Sequence, residues 1–167
     1  MESPSVAELL RRVRFAMAEP VDFERTNHES VLVQVRVLTA AATYFNVLAV
    51  ADFGGRAGAA RAPGLVEQVV GAALQGFGGE DPHGDPFARA AMLLRGITQG
   101  HPFEDGNKRT GFLLAAFYLR NVGYPLPDPL PENEIYSLCI AISAGRIRDI
   151  GEIRAELERL WTRGSSV

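Results

Sequence analysis

Along most of this chain apolar residues return every three or four positions, the period of a helix with one buried face. The strict alternation of a half-buried strand is scarce. Ser5 to about Met17 reads as a first helix, with Ser5 as its cap and Pro20 beyond its end. A second is expected from about Asn27 to Leu48, where Val31, Val35, Leu38, Ala42 and Phe45 fall on one stripe. Residues 51–64, ADFGGRAGAARAPG, break the pattern. They are rich in glycine and alanine, offer little to a core, and predict a turn or short hairpin. Pro63 is then expected to open a helix through LVEQVVGAALQ. After a second loop, GFGGEDPHGDP, Asp85 and Pro86 form a cap and first-turn pair for a helix to about Gln99. Gly100 is expected to close that helix, and Pro102 prevents its continuation. A helix from near Gly106 to Asn121 is apolar nearly all round over residues 112–119, as a buried central helix must be. YPLPDPLP is a proline-laden connector. Glu132–Ala144 gives another helix, ended by Gly145, and Asp149 begins a last one with Glu152 as its capping-box partner. No internal repeat is visible. The pattern predicts a single all-α helical bundle interrupted by one glycine-rich flap.

Composition narrows the picture. A chain of 167 residues, 47% apolar and 22% charged, suits one globular domain and argues against wholesale disorder. A net charge of −3 lacks the basic footprint of a nucleic-acid binder, although a local cationic pocket for a small phosphate fits within it. The single Cys139 cannot form an internal disulfide and suggests a reducing compartment. MESPSVAELLRR lacks the apolar core of a secretory signal, and no stretch is read as long enough to cross a bilayer, LLAAFYL falling far short. No membrane partner is expected, and the expected location is the cytoplasm.

The candidate chemistry lies in HPFEDGNKRT, residues 101–110. If a helix starts near Gly106, its first N–H groups have no internal acceptor and join the helix dipole in an anion site. Lys108 and Arg109 in that first turn oppose the dipole unless an anion is present, and phosphate is the obvious one. Asp105 would repel a bare phosphate but suits a Mg²⁺ ion carried on phosphate oxygens. His101 has the chemistry to take a proton from a hydroxyl nucleophile, and Phe103 reads as a buried wedge fixing the loop. Plainer readings compete. Asp-Gly-Asn alone is an ordinary turn, and His28 and His83 are taken as structural or solvated. A Walker A loop fails, because Asn107 separates Gly106 from Lys108 and Arg109 follows. One cysteine and scattered histidines make zinc a poor fit.

These residues resemble the Fic/Doc family motif: His-Pro-Phe, a variable residue, an acid, Gly-Asn, then Gly or Lys, and Arg. Here the matching positions are His101, Pro102, Phe103, Asp105, Gly106, Asn107, Lys108 and Arg109. Gly58 to Val66, with Arg61, Pro63, Gly64 and Leu65, resembles the flap of Doc-like members, and residues 111–161 resemble the helices that follow the motif. The likeness spans roughly residues 25–163. It leaves 1–24 as an N-terminal helical extension and 164–167 as a disordered tail.

The resemblance implies a Fic-fold helical bundle with a short glycine-rich β-hairpin flap. It also implies a protein-modifying enzyme using ATP and Mg²⁺. His101 would be the general base, Asp105 the metal ligand, and Gly106, Asn107, Lys108 and Arg109 the phosphate site. Flap residues Gly55, Arg56, Gly58 and Arg61 would align a protein substrate by strand addition. Fic members mostly transfer AMP to a protein hydroxyl, with Gly where this chain has Lys108 and a second Arg where it has Phe112. Both departures match the Doc-like toxins, which transfer the γ-phosphate to a Ser or Thr hydroxyl, a translation elongation factor being the typical target. Lys108 would fill the space of one nucleotide phosphate, so that ATP binds reversed. Ala62 departs from the acidic residue common in the flap. No Ser/Thr-x-x-x-Glu-Gly/Asn inhibitory pattern is present, so either an antitoxin in trans supplies inhibition or the enzyme is uninhibited. Leu9, Leu10, Val13 and Met17 would let the first helix fill an antitoxin groove in cis, the simpler reading being a packing helix or dimer contact.

Overall fold

A computed structural model of the chain describes residues 29–51, 56–75 and 85–163. The expected first helix, Gly55 and the C-terminal tail lie outside these. The described residues form six helices: α1 (Glu29–Val50), α2 (Leu65–Gln75), α3 (Pro86–Gly100), α4 (Asn107–Asn121), α5 (Glu132–Ser143) and α6 (Ile150–Thr162).

The bundle is organised around α4, whose residues Thr110–Leu119 are all buried. Helices α1, α3 and α5 pack against it, while α3 also meets α2 and α6. The closest approach is at Gly111, where a β-carbon would stand 2.7 Å from Thr98 Oγ1 and 3.1 Å from the Leu94 carbonyl. Only glycine lets α3 and α4 come so near. Aromatic pairs lock the outer helices on: Phe45 of α1 meets Phe117 edge to face at 5.6 Å, and Phe112 meets Trp161 of α6 at 6.1 Å. Val35, Leu38, Ala42 and Phe45 of the predicted α1 stripe are buried as expected.

By length and composition α1 is apolar enough over Val33–Val50 to cross a membrane, with a mean hydropathy of 1.4, contrary to the expectation that no stretch would be. Half of that window is nevertheless buried inside the bundle, as for a core helix whose apolar stripe faces its neighbours.

Helix ends differ from expectation at two places. Pro63 does not open α2. Gly64 takes a left-handed φ of 73°, and its carbonyl accepts the first helical bond from Gln68 N–H at 2.9 Å. At the end of α3, Gly100 stays helical and the left-handed position falls on His101 instead. Among the described residues there is no strand. The flap makes one antiparallel bridge, Ala60 to Phe103, and this pairs it with the loop before α4.

Candidate active site

The segment between α3 and α4 is held in a shape that its own residues would not choose. His101 caps α3 at φ 45° and ψ 52°, the only non-glycine with positive φ among the described residues, and its N–H reaches the Ile97 carbonyl at 3.2 Å. That conformation costs a residue with a β-carbon about 1–2 kcal/mol, and such strain persists only where the surroundings impose it. Buried Pro102 follows, and Phe103 is fully buried, the wedge that the sequence suggested. Asn107 closes the loop into a ring. Its Oδ1 accepts the Phe103 N–H at 3.0 Å and its Nδ2 donates to the Phe103 carbonyl at 2.9 Å. The side chain expected at a phosphate thus holds the loop, leaving its backbone N–H for a ligand.

Gly106 then turns the chain into α4 at φ 73° with no side-chain cap. A β-carbon here would lie 2.7 Å from Val50 Cγ2, so both the backbone angle and the close approach to α1 demand glycine. The N–H groups of the first turn, beginning with Asn107 and Lys108, open the helix after a Gly106 N-cap that has no side chain to accept them. Asp105 is exposed and accepts the Gly106 N–H at 2.7 Å through Oδ1.

The two cations of this turn have different surroundings. Arg109 is half-buried and donates to the Ala49 carbonyl at 3.4 Å, in the last turn of α1, where the negative helix end accommodates its charge. Lys108 is exposed and makes no hydrogen bond or ion pair with a described residue. Its charge is felt at Cys139 of α5. There burial raises the thiol to about 12 and the lysine opposes this, so Cys139 stays protonated and is no nucleophile.

The flap is latched over this loop. Arg61 N–H donates to the Pro102 carbonyl at 2.8 Å and Glu104 N–H to the Ala59 carbonyl at 3.0 Å. Arg61 Nε adds a bond to the Phe103 carbonyl at 3.1 Å, and Arg56 pairs with Glu104 at 3.3 Å on the surface. Gly58, at φ 71°, donates its N–H to Asn46 Oδ1 at 2.7 Å. The two arginines expected to meet a protein substrate therefore point part of their side chains at the loop. Antiparallel geometry turns the amide groups of Ala60 to the opposite edge. His101 also lines a cavity of about 260 Å³ with Gln99, Ile142, Ser143, Gly145 and Arg148.

The fold thus brings His101, Asp105, Gly106, Asn107, Lys108, Arg109, Gly58 and Arg61 to one place, with Arg56 at its rim. Asn46, which the motif does not include, touches both flap and loop. Its signal was a polar residue next to Phe45 and four after Ala42, on the stripe that otherwise supplies core.

As to metal, no cluster of three His, Cys, Asp or Glu side chains exists among the described residues. A lone exposed carboxylate still fits Mg²⁺, because that ion takes one or two protein carboxylates and completes its shell with water and phosphate oxygens.

Residues 39–119 are similar to the family described as the Fic/DOC family, whose model they match. That stretch contains His101 to Thr110 and the described part of the flap. A Fido domain-containing protein of Dictyostelium discoideum is 36% identical over 77 residues, covering 44% of this chain and 54% of that protein. The chain spans about half the length of this relative.

Proposed function

We propose that this chain, whose residues 39–119 match the model of the Fic/DOC family, transfers the γ-phosphate of ATP to a Ser or Thr hydroxyl of a protein, in the manner of the Doc-like toxins. Members of this family are typically nucleotidyl- or phosphotransferases that use ATP. The observation that carries the proposal is the uncapped start of α4, with Lys108 exposed beside it and His101 strained across the loop.

In the proposed reaction His101 accepts the hydroxyl proton as the oxygen attacks Pγ. The bond from Pγ to its β,γ-bridging oxygen breaks, and ADP leaves with that electron pair. The N–H groups of Asn107, Lys108 and Arg109, with the Lys108 ammonium, hold phosphate oxygens where charge develops. Asp105 would hold Mg²⁺, which when bound neutralises phosphate charge. The Ala60 edge of the flap aligns the substrate as an added strand. Two features favour phosphate over AMP transfer. Lys108 stands where AMP-transferring members have glycine, and Phe112, where they have arginine, is buried against Trp161. Cytoplasmic location, an elongation-factor target and restraint by an antitoxin in trans belong to the same reading.

The second reading is AMP transfer by the same residues. Incubation with a cell lysate and ATP labelled at either the α- or the γ-phosphate separates the two. Protein labelling from the γ-position alone is expected; labelling from the α-position alone selects AMP transfer. A His101→Ala variant should label nothing.

A further inference from the structure

Among the described residues, the flap, the loop and the start of α4 meet through one side chain at Asn46. It lies on α1, is completely buried, and has both ends of its amide engaged. Nδ2 donates to the Asp105 carbonyl at 2.7 Å and lies 3.2 Å from Thr110 Oγ1, while Oδ1 accepts the Gly58 N–H at 2.7 Å. The amide orientation is unambiguous, because the Gly58 N–H can only donate and the Asp105 carbonyl can only accept.

Gly106 makes room for it, and Gly58 lets the flap close on the neighbouring positions of α1. A β-carbon on Gly106 would stand 3.2 Å from Asn46 Nδ2, and one on Gly58 would stand 3.0 Å from Val47 Cγ2, one residue further along α1. Both are held at positive φ. Two left-handed turns thus adjoin one buried amide. The partners it holds lie at sensitive points. Gly58 sets the register of residues 59–61, which bridge the loop at Phe103, and the Asp105 carbonyl sets the peptide plane from which Gly106 enters α4.

We infer that Asn46 is a positioning residue that couples the flap, and hence a docked protein substrate, to the loop carrying His101 and Asp105. The role rests on the proposed transfer reaction, but the coupling can be read without it. Asn alone fits: aspartate keeps the acceptor and loses the donor, leucine loses both, and glutamine is one methylene too long for a pocket closed by Gly106.

The test uses the full chain and hydrogen–deuterium exchange resolved on residues 56–61 and 102–106. In folded Asn46→Ala, exchange should accelerate at least tenfold in both segments together. Asn121→Ala, which removes an α4 asparagine bonded to the Phe117 carbonyl at 2.8 Å, should leave both unchanged. Unchanged exchange in Asn46→Ala, or acceleration in one segment alone, overturns the coupling. If Asn46→Ala does not fold, the wild-type chain still decides. Its Asn46 side-chain amide protons should exchange at least tenfold more slowly than those of exposed Asn133, and equal rates overturn the proposal. Kinetics add the functional arm: Asn46→Ala should raise KM for the protein acceptor and lower kcat, whereas an acceptor KM and kcat both at the wild-type level overturn the positioning role. A wild-type chain that transfers nothing from ATP defeats the proposed reaction while the exchange result stands.

Discussion

Helices α3 and α4 lie side by side and begin in opposite ways. At the start of α3, Asp85 accepts the N–H groups of Phe87 and Ala88 at 3.0 and 3.1 Å, Pro86 fills the first turn, and Arg154 of α6 binds the remaining carboxylate oxygen. A capping carboxylate and a first-turn proline, two main preferences of a helix N-terminus, are met there. At the start of α4 a left-handed glycine stands at the cap position with no side chain to bond the opening N–H groups, and two cations occupy the first turn. The first start is built for stability and the second is left open for an anion. The difference shows how a site can be recognised: by a local rule broken at one helix start and kept at its neighbour.

The sharpest way to break this contrast is at His101. Replacement by glycine should remove transfer activity by about 10²–10⁴-fold. It should also stabilise the fold by up to about 1 kcal/mol by relieving the left-handed strain, visible as a raised Tm. A folded, stabilised and fully active His101→Gly enzyme would show that the strain serves nothing catalytic.

Gly106→Ala tests the open start itself. The left-handed angle and the overlap with Val50 should together cost about 2–4 kcal/mol in chemical denaturation. A loss under about 1 kcal/mol would mean that the turn adjusts freely and the α4 start is not held by α1.

Asp85→Ala attacks the closed start and should cost about 1–2 kcal/mol without changing the affinity for ATP. The same carboxyl has a pH signature. Burial alone would raise its pKa, but the Arg154 hydrogen bond, the Ala88 amide, the charge of Arg154 and the Phe87 amide outweigh this and hold it below the ordinary value of 3.8. With the folded pKa lowered, its contribution is fully present above the unfolded value and disappears as pH falls through the folded one. Wild-type Tm should therefore drop on acidification below about pH 4, and the drop should be shallower in Asp85→Ala.

The smallest effect is expected at Lys108. Without nucleotide, Lys108→Ala should leave stability unchanged or raise it by about 0.3–1 kcal/mol at low salt, since it removes a cation from the positive end of α4. The same variant should lose most of the Tm increase that ATP gives the wild type. A variant with an unaltered ATP response would remove Lys108 from the site.

Much of the fold was written locally. The stripe on α1, the Asp85-Pro86 start of α3, the all-round apolar α4 and the Asp149 start of α6, whose Oδ1 accepts the Glu152 N–H at 2.9 Å, are all consequences of residues within a few positions of one another. The short motif HPFEDGNKR is equally local, so its chemistry is legible in the residue types and their spacing. Less legible were features set by distant neighbours. Gly100 reads as the natural left-handed stop, yet it stays helical and the turn passes to His101. Asn107 and Arg61 read as ligand-facing, yet both spend side-chain bonds on Phe103.

The sequence by itself determined a helical bundle, a buried central helix and a loop whose residue types suit phosphate chemistry, because helix period, caps and motif spacing act over one or two turns. Only the tertiary structure decided which groups of that loop remain open to a ligand. Hydrogen bonds from α1 and the flap cross some 40–65 positions of chain to reach it, and no local pattern encodes a partner so far away.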